Sequence, residues 1–171
     1  AWGVPTIYKS TNGGANWAAT GTTPAFTSGQ AWYCMAVAID PNNANNVIVG
    51  SLDCYKTTNG GTSWTKISEW VGTTGQYVHA DQQIITWRSN NQVLVGCDGG
   101  VYESFDAAEN WHFKPNLPVT QFYKVATDNA FPFYHIHGGT QDNFSIGGPS
   151  RTISANGIMN SDWYFTSIGD G

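Results

Sequence analysis

The sequence predicts an all-β chain of four-stranded antiparallel blades, and three observations predict it. Nearly the same ten residues recur as YKSTNGGANW at 8–17, YKTTNGGTSW at 55–64 and YESFDAAENW at 102–111, with Ser10, Thr57 and Ser104 spaced 47 and 47 residues apart. Self-similarity at a fixed period marks a repeat architecture. Between these boxes, short runs of β-branched and small apolar residues alternate with Pro, Asn and Gly punctuation, the pattern of strands and tight turns. No stretch sustains a 3.6-residue apolar period, so little or no helix is expected. Four short strands repeated every 45 or so residues are the mark of a β-propeller blade; a stacked β-solenoid has shorter coils.

The elements follow in order. AWYCMAVAID (31–40) reads as a strand, PNNANN as a turn and VIVGSLD (47–53) as a second strand. YKTT (55–58) and SWTKIS (63–68) add two more around the Asn59-Gly60-Gly61 turn. The plan repeats as VHADQQIITWR (78–88), the turn SNNQ, VLVGCDG (93–99), VYESF (101–105) and NWHFKP (110–115). A third copy opens with QFYKVATD (121–128), turns at NAFPF and continues as YHIHGGTQD (134–142), with a longer remainder ending SDWYFTSIGDG. The expected layout is the end of one blade at 1–30, blades at 31–76, 77–120 and 121–165, and the start of another at 166–171. That is a β-propeller segment of about three to four blades. An open arc exposes two sheet edges, so the remaining blades are expected from the same or another chain.

Composition narrows the function classes. Seven Lys and Arg stand against twelve Asp and Glu in 171 residues, a net charge of -5, which offers a nucleic acid little counter-charge. Aromatics at 14% and charged residues at 11% argue against disorder. No run of 18 apolar residues is present to span a membrane. The start at Ala1 without Met reads as a processed or truncated product, and low Lys with abundant Asn, Thr and Ser points to an extracellular location, secreted or at the cell surface. One glycosylation-type sequon occurs at Asn143-Phe144-Ser145. No cofactor is assigned.

The boxes follow the pattern Ser/Thr-x-Asp-x-Gly-x-Thr/Ser-Trp, which resembles the Asp-box, or BNR repeat, of sialidase-like propellers. The matching positions are Ser10, Asn12, Gly14 and Trp17, then Thr57, Asn59, Gly61 and Trp64, then Ser104, Asp106 and Trp111. Asn replaces Asp in the first two copies, and Ala108 replaces Gly in the third. The resemblance implies a structural turn whose Asp or Asn accepts backbone N–H groups while the Trp packs beneath the hairpin. From Tyr77 onward YVHADQQ, GCDGGVYES, LPVTQFYKVATDN, GGTQDN and the final GDG look like the large secreted propellers related to sortilin-type and xyloglucanase-like proteins. That group includes glycoside hydrolases and peptide-binding receptors, so the resemblance implies a fold and leaves the activity open.

Ligands of propellers meet the rim formed by loops within and between blades. The candidates there are Asp53, Asp98 and Asp142 from loops inside blades, and His79, Asp81, Gln121 and Asp170 from the entrances of inner strands, with Gln141 and Asn143 beside Asp142. Two of Asp81, Asp98, Asp142 and Asp170 could serve as acid and base in glycoside cleavage. The same Asp-Gly and Asp-Asn pairs are also ordinary turn formers. Arg88 and Arg151 are the only arginines, too few for a sialidase clamp on a carboxylate. His79 and Asp81 with Asp98 could hold calcium, but a hydrogen-bonded structural pair is the simpler reading. His135 and His137 share a strand face with no third ligand evident, and no metal is assigned. Trp32, Trp70, Tyr77, Phe122 and Tyr123 near blade junctions suit either sugar stacking or packing between blades.

Cys34 and Cys54 flank the hairpin around PNNANN and would face each other as a cross-strand disulfide if Ile39 pairs with Val49; Cys97 reads as a buried free thiol. The expected function is binding of an extended polymer, carbohydrate ahead of peptide. The alternatives are a glycoside hydrolase with paired Asp carboxylates and a structural module of an extracellular assembly.

Overall fold

A computed structural model describes residues 5–72, 76–117 and 120–171. Ala1 and, within LPVTQFYKVATDN, Pro118 and Val119 lie outside the described residues. The chain divides into two compact units, Ala1–Leu117 and Pro118–Gly171. The first holds β1 (Tyr8–Lys9), β2 (Ala18–Ala19), β3 (Ala36–Asp40), β4 (Asn43–Gly50), β5 (Cys54–Thr57), β6 (Thr65–Lys66), β7 (Gln82–Trp87), β8 (Val93–Cys97), β9 (Gly100–Ser104) and β10 (His112–Phe113). The second holds β11 (Phe122–Thr127), β12 (His135–Thr140), β13 (Ser145–Pro149) and β14 (Tyr164–Ser167). One turn of 3-10 helix at Asn160–Asp162 is the sole helical element among the described residues. Strands β3 to β6, β7 to β10 and β11 to β14 form three antiparallel sheets in chain order, and β1 pairs with β2 alone. The protein is an all-β propeller segment whose blades are these meanders.

Several boundaries differ from the sequence reading: β7 begins at Gln82 instead of Val78, and the outer strands β6 and β10 keep only two residues each. The first inner strand begins at Ala36 instead of Ala31, because residues 27–34 turn back on themselves. Gln30 N donates to Thr27 O at 2.8 Å, and Tyr33 N donates to Gln30 O at 2.9 Å. The PNNANN turn is also tighter than expected, since Asp40 pairs directly with Asn43. Asp40 makes this tight turn possible by accepting Asn42 N at 2.8 Å and the Asn46 amide at 2.9 Å.

The Cys34–Cys54 bridge is corrected by the register. Ile39 pairs with Val47 rather than Val49, and β4 lies between β3 and β5, with Gly50 opposite both Ala36 and Cys54. The two cysteines therefore flank different sides of one strand, and both are free thiols, as is Cys97. Burial pushes Cys34 up to about 11, Cys54 to about 12 and Cys97 to about 11, so all three stay protonated and unreactive at neutral pH.

Each box folds by the same local bonds. The Ser10 hydroxyl accepts Gly14 N at 2.8 Å, Thr57 accepts Gly61 N at 3.0 Å, and Ser104 accepts Ala108 N at 2.8 Å. The Asx oxygen then accepts the N–H four residues on, at 2.9 Å in Asn12, 3.0 Å in Asn59 and 2.9 Å in Asp106. The turn needs two left-handed residues, supplied by Gly13 and Gly14 and by Gly60 and Gly61. In the third box Ala107 and Ala108 take the same conformation, at φ 59 and 70, against the steric preference of Ala.

The Trp of each later box ties its blade to the one before it. Trp64 Nε1 donates to Thr22 O at 2.9 Å, and Trp111 Nε1 donates to Ile67 O at 2.9 Å. Lys56 adds a second tie by donating to Ala107 O at 2.8 Å and pairing with Glu109 at 2.8 Å. Between the inner strands, Ala36 and Ala38 of β3 and Ile48 of β4 pack with Ile85 and Trp87 of β7 into a buried core. Small residues on β3 let the large residues of β7 approach closely.

Gly61 sits at φ +92, and a Cβ there would lie 2.8 Å from Thr20 Cβ. Gly61→Ala is therefore expected to lower stability by about 1–3 kcal/mol in urea unfolding, whereas Ala107→Gly should leave it unchanged or raise it. A neutral Gly61→Ala would contradict this account of the turn.

Candidate functional site

Two polar clusters carry the predicted site residues, one in each unit. In the first unit, Asp98 follows β8 and Asp81 precedes β7. Asp98 Oδ2 accepts the Tyr33 hydroxyl at 2.8 Å, and Oδ1 accepts the Gln83 amide at 3.2 Å. Asp81 adopts φ 63, and its Oδ1 accepts the Cys34 thiol at 3.4 Å. A carboxylate oxygen of Asp81 lies within 4.8 Å of one of Asp98. Cys34 is fixed in turn by Ser51, whose hydroxyl donates to Cys34 O at 2.7 Å. Burial, with the Asp98 charge adding to it, pushes the Asp81 carboxyl above its ordinary range, while the Cys34 S–H bond opposes the shift.

His79 and Asp53 have other work. The His79 ring packs on Gly99, where a Cβ would come 2.3 Å from its Cγ, and Nδ1 faces Ala80 O at 3.2 Å. Asp53 pairs with Lys66 at 3.0 Å and accepts Trp70 N at 3.0 Å, so it clamps the outer strand of its blade. Beneath this rim the fully buried Gln82 donates to Leu52 O at 3.0 Å and His79 O at 2.8 Å, which ties two blades together. Trp32 stands 67% exposed beside Tyr33, their rings 5.6 Å apart. Tyr77 packs edge-on against Tyr102 at 5.9 Å.

In the second unit Gln121, Gln141, Asp142, Asn143 and Asp170 converge. Gln121 donates its amide to Gln141 Oε1 at 2.9 Å, and Gln141 N donates to Gln121 O at 3.0 Å. The Asn143 amide donates to Gln141 O at 2.8 Å, and Asp142 N donates to Asp170 Oδ1 at 3.1 Å. Asp170 also accepts the Tyr123 hydroxyl at 3.4 Å, while Phe122 packs on Gly138.

The sequence reading missed Tyr33, Gln83 and Cys34 as partners of the acids, and it missed Asp128. That carboxylate accepts His135 N at 2.7 Å and lies 2.8 Å from His135 Nδ1 and 3.8 Å from His137 Nε2. The His135 N–H leads the interactions that hold Asp128 down at about 2. Repeat position was the available signal for Gln83, which adjoins Gln82 at the start of an inner strand. Asp128 was foreshadowed only by its place at the end of the preceding strand.

No protein-family profile matches the chain, and no curated protein does. The solved structures that resemble it include the following two. "YCF48 bound to D1 peptide" aligns with a TM-score of 0.49 at 16% identity, covering 84% of this chain and 44% of that one. The GH74 enzyme of Niastella koreensis aligns with a TM-score of 0.39 at 18% identity, covering 66% of this chain and 20% of that one. The chain thus spans less than half the length of either.

Replacing Asp81 by Asn isolates its electrostatics. Its pKa is raised on folding above the 3.8 of an unperturbed aspartate, so the charged form opposes folding once pH rises through the folded pKa. Asp81→Asn should raise the melting temperature at pH 7, and the gain should vanish below pH 3.8, where both states are protonated. A loss of stability at pH 7 would contradict this assignment.

Proposed function

We propose that this segment belongs to a secreted Asp-box propeller that binds an extended polymer, carbohydrate ahead of peptide, on the rim carrying Asp81 and Asp98. The observation that carries the reading is the exposed Trp32 indole next to Tyr33, whose hydroxyl holds Asp98. A flat apolar ring beside fixed carboxylates and the exposed Gln83 amide offers a sugar both a stacking face and hydrogen-bond acceptors and donors. The net charge of -5 and the scarcity of arginine favour neutral polymers over polyanions. The three box networks, with the same hydroxyl and Asx bonds, support the Asp-box reading of the hairpins.

A second reading has its own support. Asp81 carries a raised pKa, and a second carboxylate, Asp98, lies within 4.8 Å of it. A carboxyl kept protonated near another carboxylate is what glycoside hydrolysis uses. Affinity electrophoresis against a panel of neutral plant and microbial polysaccharides, with reducing ends assayed in parallel, separates the readings. Binding of at least one polymer is expected, weakened about tenfold in Trp32→Ala, as the loss of a ring contact worth roughly 1–1.5 kcal/mol requires. New reducing ends that disappear in Asp81→Asn would make the segment part of a hydrolase. No retardation by any polymer would overturn the binding reading and leave a structural module.

A further inference from the structure

The blade of β11 to β14 departs from that of β3 to β6 at one turn, and the repeat makes the departure easy to see. Asp40 closes the β3–β4 turn: its Oδ1 accepts Asn42 N at 2.8 Å, and its Oδ2 accepts the Asn46 amide at 2.9 Å. Asp128 closes β11–β12 in the same way. Its Oδ1 accepts Ala130 N at 3.1 Å and His135 N at 2.7 Å, and its Oδ2 lies 2.8 Å from His135 Nδ1. Two residues further on, Ile48 pairs with Ala38 and His137 pairs with Ala126, so Ile48 and His137 hold one register position. Ile48 is fully buried and apolar. The imidazole in its place brings a second nitrogen, Nε2, to 3.8 Å from the same Asp128 Oδ2.

One carboxylate oxygen thus has two imidazole nitrogens as neighbours, on side chains that share a face of β11 and β12. The strand beside them sets the direction of the second ring. A Cβ at Gly147 would lie 2.8 Å from His137 Nδ1, so the glycine leaves the ring its room, with Nδ1 toward β13 and Nε2 toward the carboxylate. Tyr164 packs edge-on against the same ring at 6.3 Å. A zinc ion about 2.1 Å from each ligand holds tetrahedral neighbours roughly 3.4 Å apart. The separations of 2.8 and 3.8 Å bracket that spacing. The rings, 6.3 Å apart between centroids, close the remaining side by turning inward. Their side chains are 40% and 36% exposed, which leaves room for the turn.

We propose that Asp128, His135 and His137 bind a divalent transition-metal ion of the zinc class, through Asp128 Oδ2, His135 Nδ1 and His137 Nε2. Two imidazoles with one carboxylate suit zinc, nickel or copper, whereas calcium and magnesium take oxygen ligands. Three protein ligands leave one position of a tetrahedral ion open to water. The site lies within a single sheet of the second unit and is independent of any polymer on the rim that carries Asp81 and Asp98.

Isothermal titration calorimetry of the full chain with zinc chloride, and with calcium chloride in parallel, tests the site. Zinc should bind and calcium should not displace it. His137→Ile places there the residue that β4 carries at the same register position, so the melting temperature should stay at the wild-type value. Zinc affinity in that variant should fall at least tenfold, as the loss of a ligand requires. Asp128→Asn should weaken zinc as well, while His112→Gln on β10 should leave it unchanged. No zinc binding at millimolar concentration, or equal affinity in His137→Ile, would overturn the proposal.

Discussion

The rest of the first unit depends on one constraint, the local closure of each box by a Ser or Thr hydroxyl and an Asx oxygen. These two acceptors take the N–H groups of a turn whose residues sit in left-handed backbone, groups that would otherwise lack partners. The Trp that ends the closed turn takes one of two directions: in the first box its indole N–H donates to Gly14 O of its own turn at 3.0 Å, and in the later two it reaches away from the box. In the second and third boxes that direction leads to a backbone carbonyl of the preceding blade. A bond pattern spanning four residues thereby becomes a link between residues more than forty apart. Lys56 reinforces the link at the third box by reaching its turn carbonyl and Glu109.

The third box shows that the constraint outranks backbone preference. Ala107 and Ala108 accept left-handed φ where the other copies use Gly, while Ala108 is 1% exposed and contributes to the core. The methyl buried there offsets part of the conformational cost, and Asp106 compensates further with two bonds beyond the one it shares with the Asn copies. Besides the Asn110 N–H, it accepts the Asn110 amide at 2.8 Å and the Glu109 N–H at 3.1 Å. Together with the Ser104 hydroxyl these hold its carboxyl well below the usual range. An ionised Asp can thus do with charge what Gly does with freedom.

The architecture was legible in the sequence because its determinants are local. The boxes and the four-strand period follow from residues close to turns that a pattern can place. The misreadings arose where a partner is distant or where one strand serves two neighbours. The proposed Cys34–Cys54 bridge failed because a two-residue error in the pairing of Ile39 moves the whole register. Tyr33 meets Asp98 across 65 residues, and Cys34 meets Asp81 across 47, contacts that no local motif announces. Asp53 looked like its rim counterparts, yet Lys66 and the Trp70 amide engage it, a difference decided by the neighbouring strand.

The central claim is that the indole N–H of a box couples its blade to the one before. Trp111→Phe keeps the ring and removes only that donor, so native-state hydrogen exchange of the two blades tests the claim most directly. The account predicts that the amides of the third box and of β10 open more readily, by about 1 kcal/mol for the lost bond, while those of β3 and β4 are unchanged. Wild-type exchange throughout the variant would contradict it and assign the coupling between blades to core packing alone.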